Sequence, residues 1–300
     1  MSKKIIAVFG VTGSQGSSVL KALVNNNSYH VRALTRNANS DRAKNLSSLP
    51  NCTIFEADFN DLKSLDTAFA GCHGVFAVTD SRTTTKEKEV QQGLNAINSA
   101  IKNGVKHIVF SGLESTESAI GKPCVHFDYK AEVEKYGLKN SDKITFTSIR
   151  MPCYYESIAE MFTKKVKDNE FILKAPMDGK PMYGISAVDD TGECVLSIFE
   201  NPEAYKSQLI GIAADNLTLS EYAALMTKHL QPNKFSEAKI SLKEFADLSP
   251  YTKELAIMFE FYSSGKMERN IDLTRKLHKN LLSYEQWLIK NKQSLLDHFK

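Results

Sequence analysis

The stretch IIAVFGVTGSQG, residues 5–16, places three glycines at intervals of three residues directly after a short apolar run. An apolar run rich in Ile and Val that ends in glycine is typical of a buried parallel strand. The next segment, SSVLKALVNNN, carries apolar residues at helical spacing and ends in a polar stop. A strand-to-helix turn built on glycine lets an anion approach the unpaired N–H groups that begin the helix. A tight turn alone also requires glycine, but the strand–turn–helix context favours a pyrophosphate-binding loop.

The tip of the second predicted strand indicates which dinucleotide this loop would bind. The strand HVRALTR spans His30–Arg36 and ends in Thr35-Arg36. Folds that prefer NAD carry Asp or Glu at this point to bind the ribose 2′-hydroxyl. A guanidinium can instead hold a 2′-phosphate with two parallel hydrogen bonds. Lys44 could add a second positive charge, although both residues also fit ordinary solvated surface positions. The sequence favours NADP(H) as the cofactor.

The alternation of strand and helix continues along the chain and predicts the fold class. Residues 1–150 are expected to form an α/β, Rossmann-type, doubly wound parallel sheet that binds NADP(H). After residue 150 the pattern changes to helices with isolated strands. Residues 151–300 are therefore predicted to form a smaller α+β carboxy-terminal lobe, packed on the first part to form a ligand-binding cleft. The further strands expected in the first part are Cys52–Ala57, Gly74–Thr79, His107–Gly112 and Ile144–Arg150.

Composition and charge restrict the classes of function. The net charge of the 300 residues is only +3, and the basic residues are interspersed with acidic ones, so a nucleic-acid partner is not expected. No stretch approaches the roughly 20 apolar residues of a membrane span, and no cleavable apolar segment is visible at the amino terminus. We expect a cytoplasmic protein, with the nucleus as a second location. The five cysteines are widely separated and lack a Cys-x-x-Cys pair, which argues against disulfides and a metal site.

Six segments carry a resemblance to a known family. They read VFGVTGSQGSSV, VRALTRN, SGLES, HFDYKAEVEKY, SIRMPCYYES and the terminal MFEFYSSGKMERNIDLTRKL…SYEQWL. Together, and in this order, they resemble the NmrA-like family, an atypical branch of the short-chain dehydrogenase/reductase superfamily, over nearly the whole chain. The resemblance implies a sensor of the NADPH/NADP⁺ balance in which dinucleotide binding alters conformation. It also implies a regulated homodimer and a protein partner that the sequence does not identify.

The resemblance further implies which residues contact the cofactor. The glycine loop would wrap the pyrophosphate, the segment after the second strand would hold the 2′-phosphate end, and the residues after the third strand would contact adenine. Residues after the sixth strand would lie beside the nicotinamide, and the residue that ends the fourth strand would lie at the carboxyl edge where ligands bind, although an aromatic pair and a strand-ending hydroxyl are also ordinary structural features. The predicted site residues are Gly10, Val11, Thr12, Gly13, Ser14 and Gln15 for the pyrophosphate, with Gly16 for close helix packing; Arg36, Asn37, Ala38, Asn39 and Ser40 for the 2′-phosphate end; Asp58 and Phe59 for adenine; Thr79 at the sheet edge; Lys130 for the nicotinamide ribose; and Tyr154, Tyr155, Glu156 and Ser157 beside the nicotinamide.

A substitution in the catalytic motif of the superfamily separates two possible functions. Its reductases use a Tyr-x-x-x-Lys pair, in which the tyrosine protonates the carbonyl of the substrate and both side chains share one helix face. Here Lys130 is preceded by His126 in the tyrosine position, and Tyr129 points about 100° around the helix. The usual acid is missing, so a non-catalytic NADP(H) sensor is favoured, in which Lys130 binds the nicotinamide ribose. The alternative is an NADPH-dependent reductase of quinones or other small carbonyls, in which His126 donates the proton.

Overall fold

The computed structural model describes residues 2–80 and 85–300, and the chain divides into two compact units. Each unit is assembled from separate stretches of sequence. Arg150 and Met151, the predicted boundary, mark one of the positions where the chain passes from one unit to the other. The first unit comprises Met1–Ser115, Val125–Arg150 and Val188–Ile210, and the second comprises Thr116–Cys124, Met151–Ala187 and Gly211–Lys300.

Thirteen strands among the described residues form three sheets. In chain order they are β1 (Lys4–Val8), β2 (Tyr29–Thr35), β3 (Cys52–Glu56), β4 (Gly74–Ala77), β5 (His107–Gly112), β6 (Thr145–Arg150), β7 (Cys153–Tyr154), β8 (Thr163–Lys167), β9 (Glu170–Leu173), β10 (Met182–Ile185), β11 (Leu209–Gly211), β12 (Asp215–Leu217) and β13 (Lys234–Glu237). The largest sheet has the order β11-β6-β5-β4-β1-β2-β3, and β1 to β6 pair in parallel. The smaller sheets have the orders β12-β10-β7 and β13-β9-β8. The predicted Rossmann-type doubly wound sheet is confirmed.

Fifteen helices among the described residues connect these strands. They are α1 (Ser14–Asn25), α2 (Asp41–Leu46), α3 (Leu62–Phe69), α4 (Lys86–Lys102), α5 (Thr116–Ile120), α6 (Val125–Lys139), α7 (Tyr155–Glu160), α8 (Thr191–Glu200), α9 (Pro202–Tyr205), α10 (Leu219–His229), α11 (Leu242–Ala246), α12 (Pro250–Ser263), α13 (Ile271–Leu277), α14 (Tyr284–Lys290) and α15 (Lys292–His298). Within the described part of the chain, none of these helices is long and apolar enough to cross a membrane.

The strand order reverses at β1, and this reversal positions the candidate site. β1 pairs with β2 on one side, where Ile6 lies opposite Val31, and with β4 on the other, where Val8 lies opposite Phe76. The chain therefore leaves β1 in one direction along the sheet and returns to its other side after β3. In open α/β sheets, ligands bind outside the carboxyl ends of the strands at such a switch point. The glycine loop follows β1 directly.

Helix α8 belongs to the first unit, although it lies beyond residue 150. It packs against α1. The backbone N–H of Gly192 donates to Oγ of Ser18 at 2.9 Å, and a Cβ at Gly192 would lie 2.1 Å from the backbone oxygen of Ser18. The glycine thus allows the two helices to approach at backbone distance. Residues 188–210 complete the layer of helices that begins with α1.

A buried histidine in β5 predicts a loss of stability in mild acid. His107 is only 2% exposed, and burial lowers its pKa from 6.5 to about 4. Because the unfolded chain takes up a proton on this side chain first, stability is lost as the pH falls from about 6.5 to about 4. By pH 5 the loss should be about 2 kcal/mol in the free energy of unfolding. Urea unfolding at pH 8 and pH 5 measures this loss. A His107→Gln variant should lack the contribution of His107 to the difference in stability between the two pH values, because glutamine takes up no proton. If the variant loses as much stability between pH 8 and pH 5 as the wild type, other groups cause the loss.

Candidate functional site

The turn between β1 and α1 depends on glycine at two positions. Gly10 has a φ of +70°, a conformation that other residues rarely adopt, and a Cβ there would lie 2.8 Å from Cγ1 of Val78. A Cβ at Gly16 would lie 2.2 Å from the backbone oxygen of Gly10. The N–H of Gly13 donates to that same oxygen at 2.8 Å, which closes the turn. The first turn of α1 therefore lies directly against the backbone of the loop.

The amino terminus of α1 has neither a capping side chain nor an acidic residue. Gly13 is the N-cap and has no side chain to accept from the first N–H groups, and the first turn contains no acidic residue. The partial positive charge of this end is left for another group to balance. Among the atoms of residues 2–80 and 85–300, a Cβ at Gly13 would have one within 4 Å, the Gly10 oxygen at 3.4 Å, so these residues leave the space beside the cap open. This geometry fits a pyrophosphate.

Arg36 lies immediately after β2, at the same edge of the sheet as the glycine loop. Its side chain is exposed. Within residues 2–80 and 85–300, it makes no hydrogen bond or ion pair. Lys44, on α2, is also exposed. An arginine without an internal counterion keeps its five N–H donors for a ligand, as binding of a 2′-phosphate requires.

The segment after Arg36 forms a self-contained turn that begins α2. The N–H of Asn39 donates to Oδ1 of Asn37 at 2.9 Å, and Oγ of Ser40 donates to the backbone oxygen of Asn37 at 3.0 Å. Ser40 is the N-cap of α2. The N–H of Ala38 donates to Oε2 of Glu56 at 3.3 Å, a contact that sequence reasoning missed. A carboxylate at the end of β3 thus holds the predicted 2′-phosphate turn in place.

Asp58 and Phe59, the predicted adenine contacts, follow β3 at this edge. Oδ1 of Asp58 accepts from the backbone N–H and from the side-chain amide of Asn60, both at 2.8 Å. The Phe59 ring stacks on Phe9 with a centroid distance of 3.9 Å and an angle of 21°. One face of Phe59 is therefore covered by the loop residue before Gly10, and only the opposite face could meet a base.

Thr79 and Lys130 lie in one buried hydrogen-bonded group with Glu89 of α4, a residue that sequence reasoning missed. Nζ of Lys130 lies 2.9 Å from both the backbone oxygen and Oγ1 of Thr79, and 3.2 Å from Oε1 of Glu89. Oγ1 of Thr79 donates to the same Glu89 oxygen at 2.7 Å. Three acceptors thus match the three N–H donors of the ammonium. Burial lowers the pKa of Lys130, and the neighbouring Glu89 carboxylate partly opposes that shift.

A second buried ion pair fixes α6 against the sheet. Arg150, at the end of β6, donates from Nε and Nη2 to the two oxygens of Glu134 at 3.0 and 2.6 Å. Oγ of Ser148 donates to Oε1 of Glu134 at 2.5 Å. A Cβ at Gly112 would lie 2.1 Å from the same Oε1, so the β5 glycine makes room for the carboxylate. This paired geometry holds the helix that carries Lys130 and His126.

His126 lies four residues before Lys130 on α6 and is half-buried. Its ring contacts Phe127 at a centroid distance of 5.0 Å. The helical spacing puts His126 on the same face as Lys130, as the sequence predicts. No tyrosine occupies this position.

The residues Tyr154, Tyr155, Glu156 and Ser157 belong to the second unit. The Tyr155 side chain is fully buried, and its hydroxyl donates to Oδ2 of Asp215 at 2.5 Å. The Glu156 carboxylate accepts from Oγ of Ser186 at 2.7 Å and from the N–H of Ala187 at 3.1 Å. Tyr155 is thus a core residue with only its backbone left for a ligand, while Tyr154 and Ser157 are half-buried.

The parallel sheet brings most predicted contacts to one edge. The glycine loop, the Arg36 turn, the Asp58-Phe59 pair and Thr79 follow β1, β2, β3 and β4 in turn, and Lys130 joins them through its contacts with Thr79. Because β1 to β4 are parallel, their carboxyl ends lie at the same edge. Tyr154 to Ser157 belong to the second unit and are not among the residues at this edge of the first unit.

Comparison with known proteins identifies the family. The NmrA-like family profile matches residues 2–288. The chain belongs to the NmrA-like family. This NmrA-like chain is 27% identical over 271 residues to an NmrA-like family domain-containing protein of Dictyostelium discoideum, with 88% of each chain covered. It is 33% identical over 235 residues to an NmrA-like family domain-containing oxidoreductase of Aspergillus hancockii, with 73% of this chain and 70% of the relative covered.

A solved structure shares the fold of this NmrA-like chain. The structure is that of NmrA, a negative transcriptional regulator, in complex with NADP. It superimposes with a TM-score of 0.84 at 21% identity and covers 99% of this chain and 98% of its own. At this level of identity, the likeness establishes the architecture.

Proposed function

We propose that this NmrA-like chain binds NADP(H) at the carboxyl edge of its large sheet and acts as a regulator that responds to the NADPH/NADP⁺ balance. The observation that carries the proposal is the glycine-capped amino terminus of α1. It lies at the switch point of the sheet with no acidic residue in its first turn. A helix terminus without a capping side chain or an acidic residue in its first turn is suited to a pyrophosphate.

The preference for NADP(H) is supported by Arg36. The guanidinium lies one strand away from the glycine loop, is exposed, and has no counterion among the described residues. A 2′-phosphate would pair with it, whereas the 2′-hydroxyl of NAD would gain a weaker hydrogen bond. The NADP complex of NmrA, a protein of the same fold, supports the same cofactor class.

A regulatory role is supported by the groups around Lys130. Histidine replaces the tyrosine that would protonate a carbonyl, and the three donors of the Lys130 ammonium are engaged by Thr79 and Glu89. Loss of a positioned general acid costs roughly 10²–10⁴ in rate. We propose that the output is a change in dimerisation or in the choice of a protein partner, in the cytoplasm or the nucleus.

A second candidate function is reduction of a quinone or another small carbonyl with NADPH. Two observations favour it: the Aspergillus hancockii relative is an oxidoreductase by name, and His126 lies one helical turn before Lys130. An imidazole titrates near 6.5 and can donate a proton at neutral pH. In this mechanism His126 would donate the proton, and the cofactor would supply the hydride.

Calorimetric titration with NADP⁺, NADPH, NAD⁺ and NADH distinguishes these proposals when it is combined with a turnover screen. We expect NADP(H) to bind at least about tenfold more tightly than NAD(H). Hydrogen exchange should slow around residues 154–157 on NADP⁺ binding and saturate with occupancy, because a ligand shifts an equilibrium only by its difference in affinity for the two states. Steady oxidation of NADPH by quinones or aldehydes that His126→Ala removes would establish the reductase instead. Equal affinity for the two cofactor classes would contradict the assignment of Arg36.

A further inference from the structure

Glu89 is a carboxylate on the buried face of α4. The residue is 0% exposed, and the other buried residues of this helix include Ala96, Ile97 and Ala100. A charge on such a face carries a large desolvation cost unless another charge or hydrogen bonds offset it. Oε1 of Glu89 accepts from Thr79 and pairs with Lys130, whereas Oε2 is buried and has no hydrogen-bond partner among residues 2–80 and 85–300. Within these residues, the Glu89 charge is therefore balanced through a single oxygen.

Lys130 depends on the same contact. Lys130 is 8% exposed, and its ammonium lies 5.9 Å from the centroid of the Phe110 ring. The carboxylates that act on it are Glu89 from α4, Asp80 after β4 and Glu134 one turn further along α6. Glu134 is already paired with Arg150 through both oxygens. Among residues 2–80 and 85–300, Glu89 is the carboxylate within hydrogen-bond distance of Nζ, at 3.2 Å.

We propose that Glu89 is a positioning residue for the dinucleotide site, which keeps Lys130 charged and holds its ammonium at the carboxyl end of β4. The inference rests on the proposed function in one respect, that Lys130 serves NADP(H) binding. A ribose hydroxyl that approaches Lys130 would replace one of its present hydrogen bonds. The attraction between the two charges survives such an exchange, because it does not require a shared hydrogen.

The direction of the pH effect follows from this arrangement. Burial already lowers the pKa of Lys130, and Glu89 is the main group that opposes the shift. When Glu89 is made neutral, Lys130 should lose its proton at a lower pH than in the wild-type protein. A neutral Lys130 cannot make a charge-assisted contact with the ligand. Affinity for NADP⁺ should then decline as the pH rises, over a range in which the wild-type protein still binds well.

The test compares the full-length wild-type chain with Glu89→Gln, Glu89→Asp and Glu87→Gln. Glu87 is an exposed acid of the first turn of the same helix, so its substitution removes an equal charge without touching Lys130. The titration of Lys130 is followed by the NMR signal of its labelled ε-carbon, assigned with a Lys130→Met variant. NADP⁺ affinity is measured by calorimetry at pH 7 and pH 9.5. We expect Glu89→Gln to shift the titration of Lys130 to lower pH. Its affinity should fall about tenfold more than that of the wild type between the two pH values.

Two control variants show whether the effect depends on the carboxylate at position 89. Glu89→Asp should restore part of the effect, and Glu87→Gln should behave as the wild type. Unchanged titration of Lys130 in Glu89→Gln, or an equal shift in Glu87→Gln, would overturn the proposal. If Glu89→Gln is too unstable to titrate, adding Lys130→Met should recover stability because the unmatched charge is gone, and no recovery would overturn the proposal as well. Failure of the wild type to bind NADP⁺ would refute the proposed function, while the titration would still decide the role of Glu89.

Discussion

The Gly16→Ala variant is expected to lose about 3 kcal/mol or more of its free energy of unfolding and to stop binding dinucleotides. The added Cβ would lie 2.2 and 2.3 Å from the oxygen and carbon of Gly10 and 2.4 Å from the oxygen of Phe9. These three atoms are backbone, so no side-chain rotation relieves the overlap, and α1 must move away from the loop. Urea unfolding measures the stability, and calorimetry with NADP⁺ measures the binding.

Gly13→Val supplies the matched comparison in the same loop. Gly13 has a φ of −104°, which any residue can adopt, and a Cβ there would make only an ordinary contact at 3.4 Å. This variant should remain folded, with stability within about 1 kcal/mol of the wild type, and should still lose binding because its side chain fills the space beside the helix terminus. Normal NADP⁺ binding by Gly13→Val would show that the loop is only a turn. Wild-type stability of Gly16→Ala would show that the close approach of the helix to the loop is not required.

Arg36→Asp is expected to reverse the cofactor preference, from at least about tenfold for NADP(H) to about tenfold for NAD(H). The substitution removes the partner of the 2′-phosphate and places a repelling carboxylate at the same point. That carboxylate can also accept from the ribose 2′-hydroxyl of NAD. The measurement is calorimetric titration of the wild type and of Arg36→Asp with NADP⁺ and NAD⁺.

Arg42→Asp is the control for this reversal. Arg42 is an exposed residue of α2, and its substitution changes the net charge by the same amount. A long-range charge effect would weaken NADP⁺ binding similarly in both variants and is screened by salt. Reversal should therefore occur only in Arg36→Asp and should persist at 0.15 M salt. Reversal in both variants would assign the preference to overall charge.

The sequence predicted the central strands well because the hydrophobic pattern decides them. The strand predicted at His107–Gly112 has the observed bounds, and the one predicted at Cys52–Ala57 ends one residue earlier. The start of α1 was placed three residues late, at residue 17 rather than Ser14. Its N-cap is a glycine, so the usual signal of a Ser, Thr, Asp or Asn cap is missing.

The sequence pattern does not predict contacts between elements that are distant along the chain. The predicted strand Gly74–Thr79 ends at Ala77, because Thr79 turns out of the sheet and contacts Glu89 and Lys130. A signal for Glu89 was present, since it shares a helix face with the apolar residues of α4. The packing of α4 against α6 determines which cation Glu89 pairs with. The sequence pattern alone does not predict this packing. Tyr155 illustrates the same limit: its pattern fits a ligand wall or a core residue, and the structure shows its side chain fully buried with its hydroxyl bonded to Asp215.

The contact between Gly192 and Ser18 also bears on how the protein is made. A chain leaving the ribosome normally folds each domain as its last residue emerges. Here α1 is made before α8, the helix that packs against it, and the segment Met151–Ala187 of the second unit is translated between them. The nascent first unit must therefore wait, with the α8-contacting face of α1 uncovered, until α8 itself has been made. During synthesis, a chaperone bound to this face would shield it until α8 arrives.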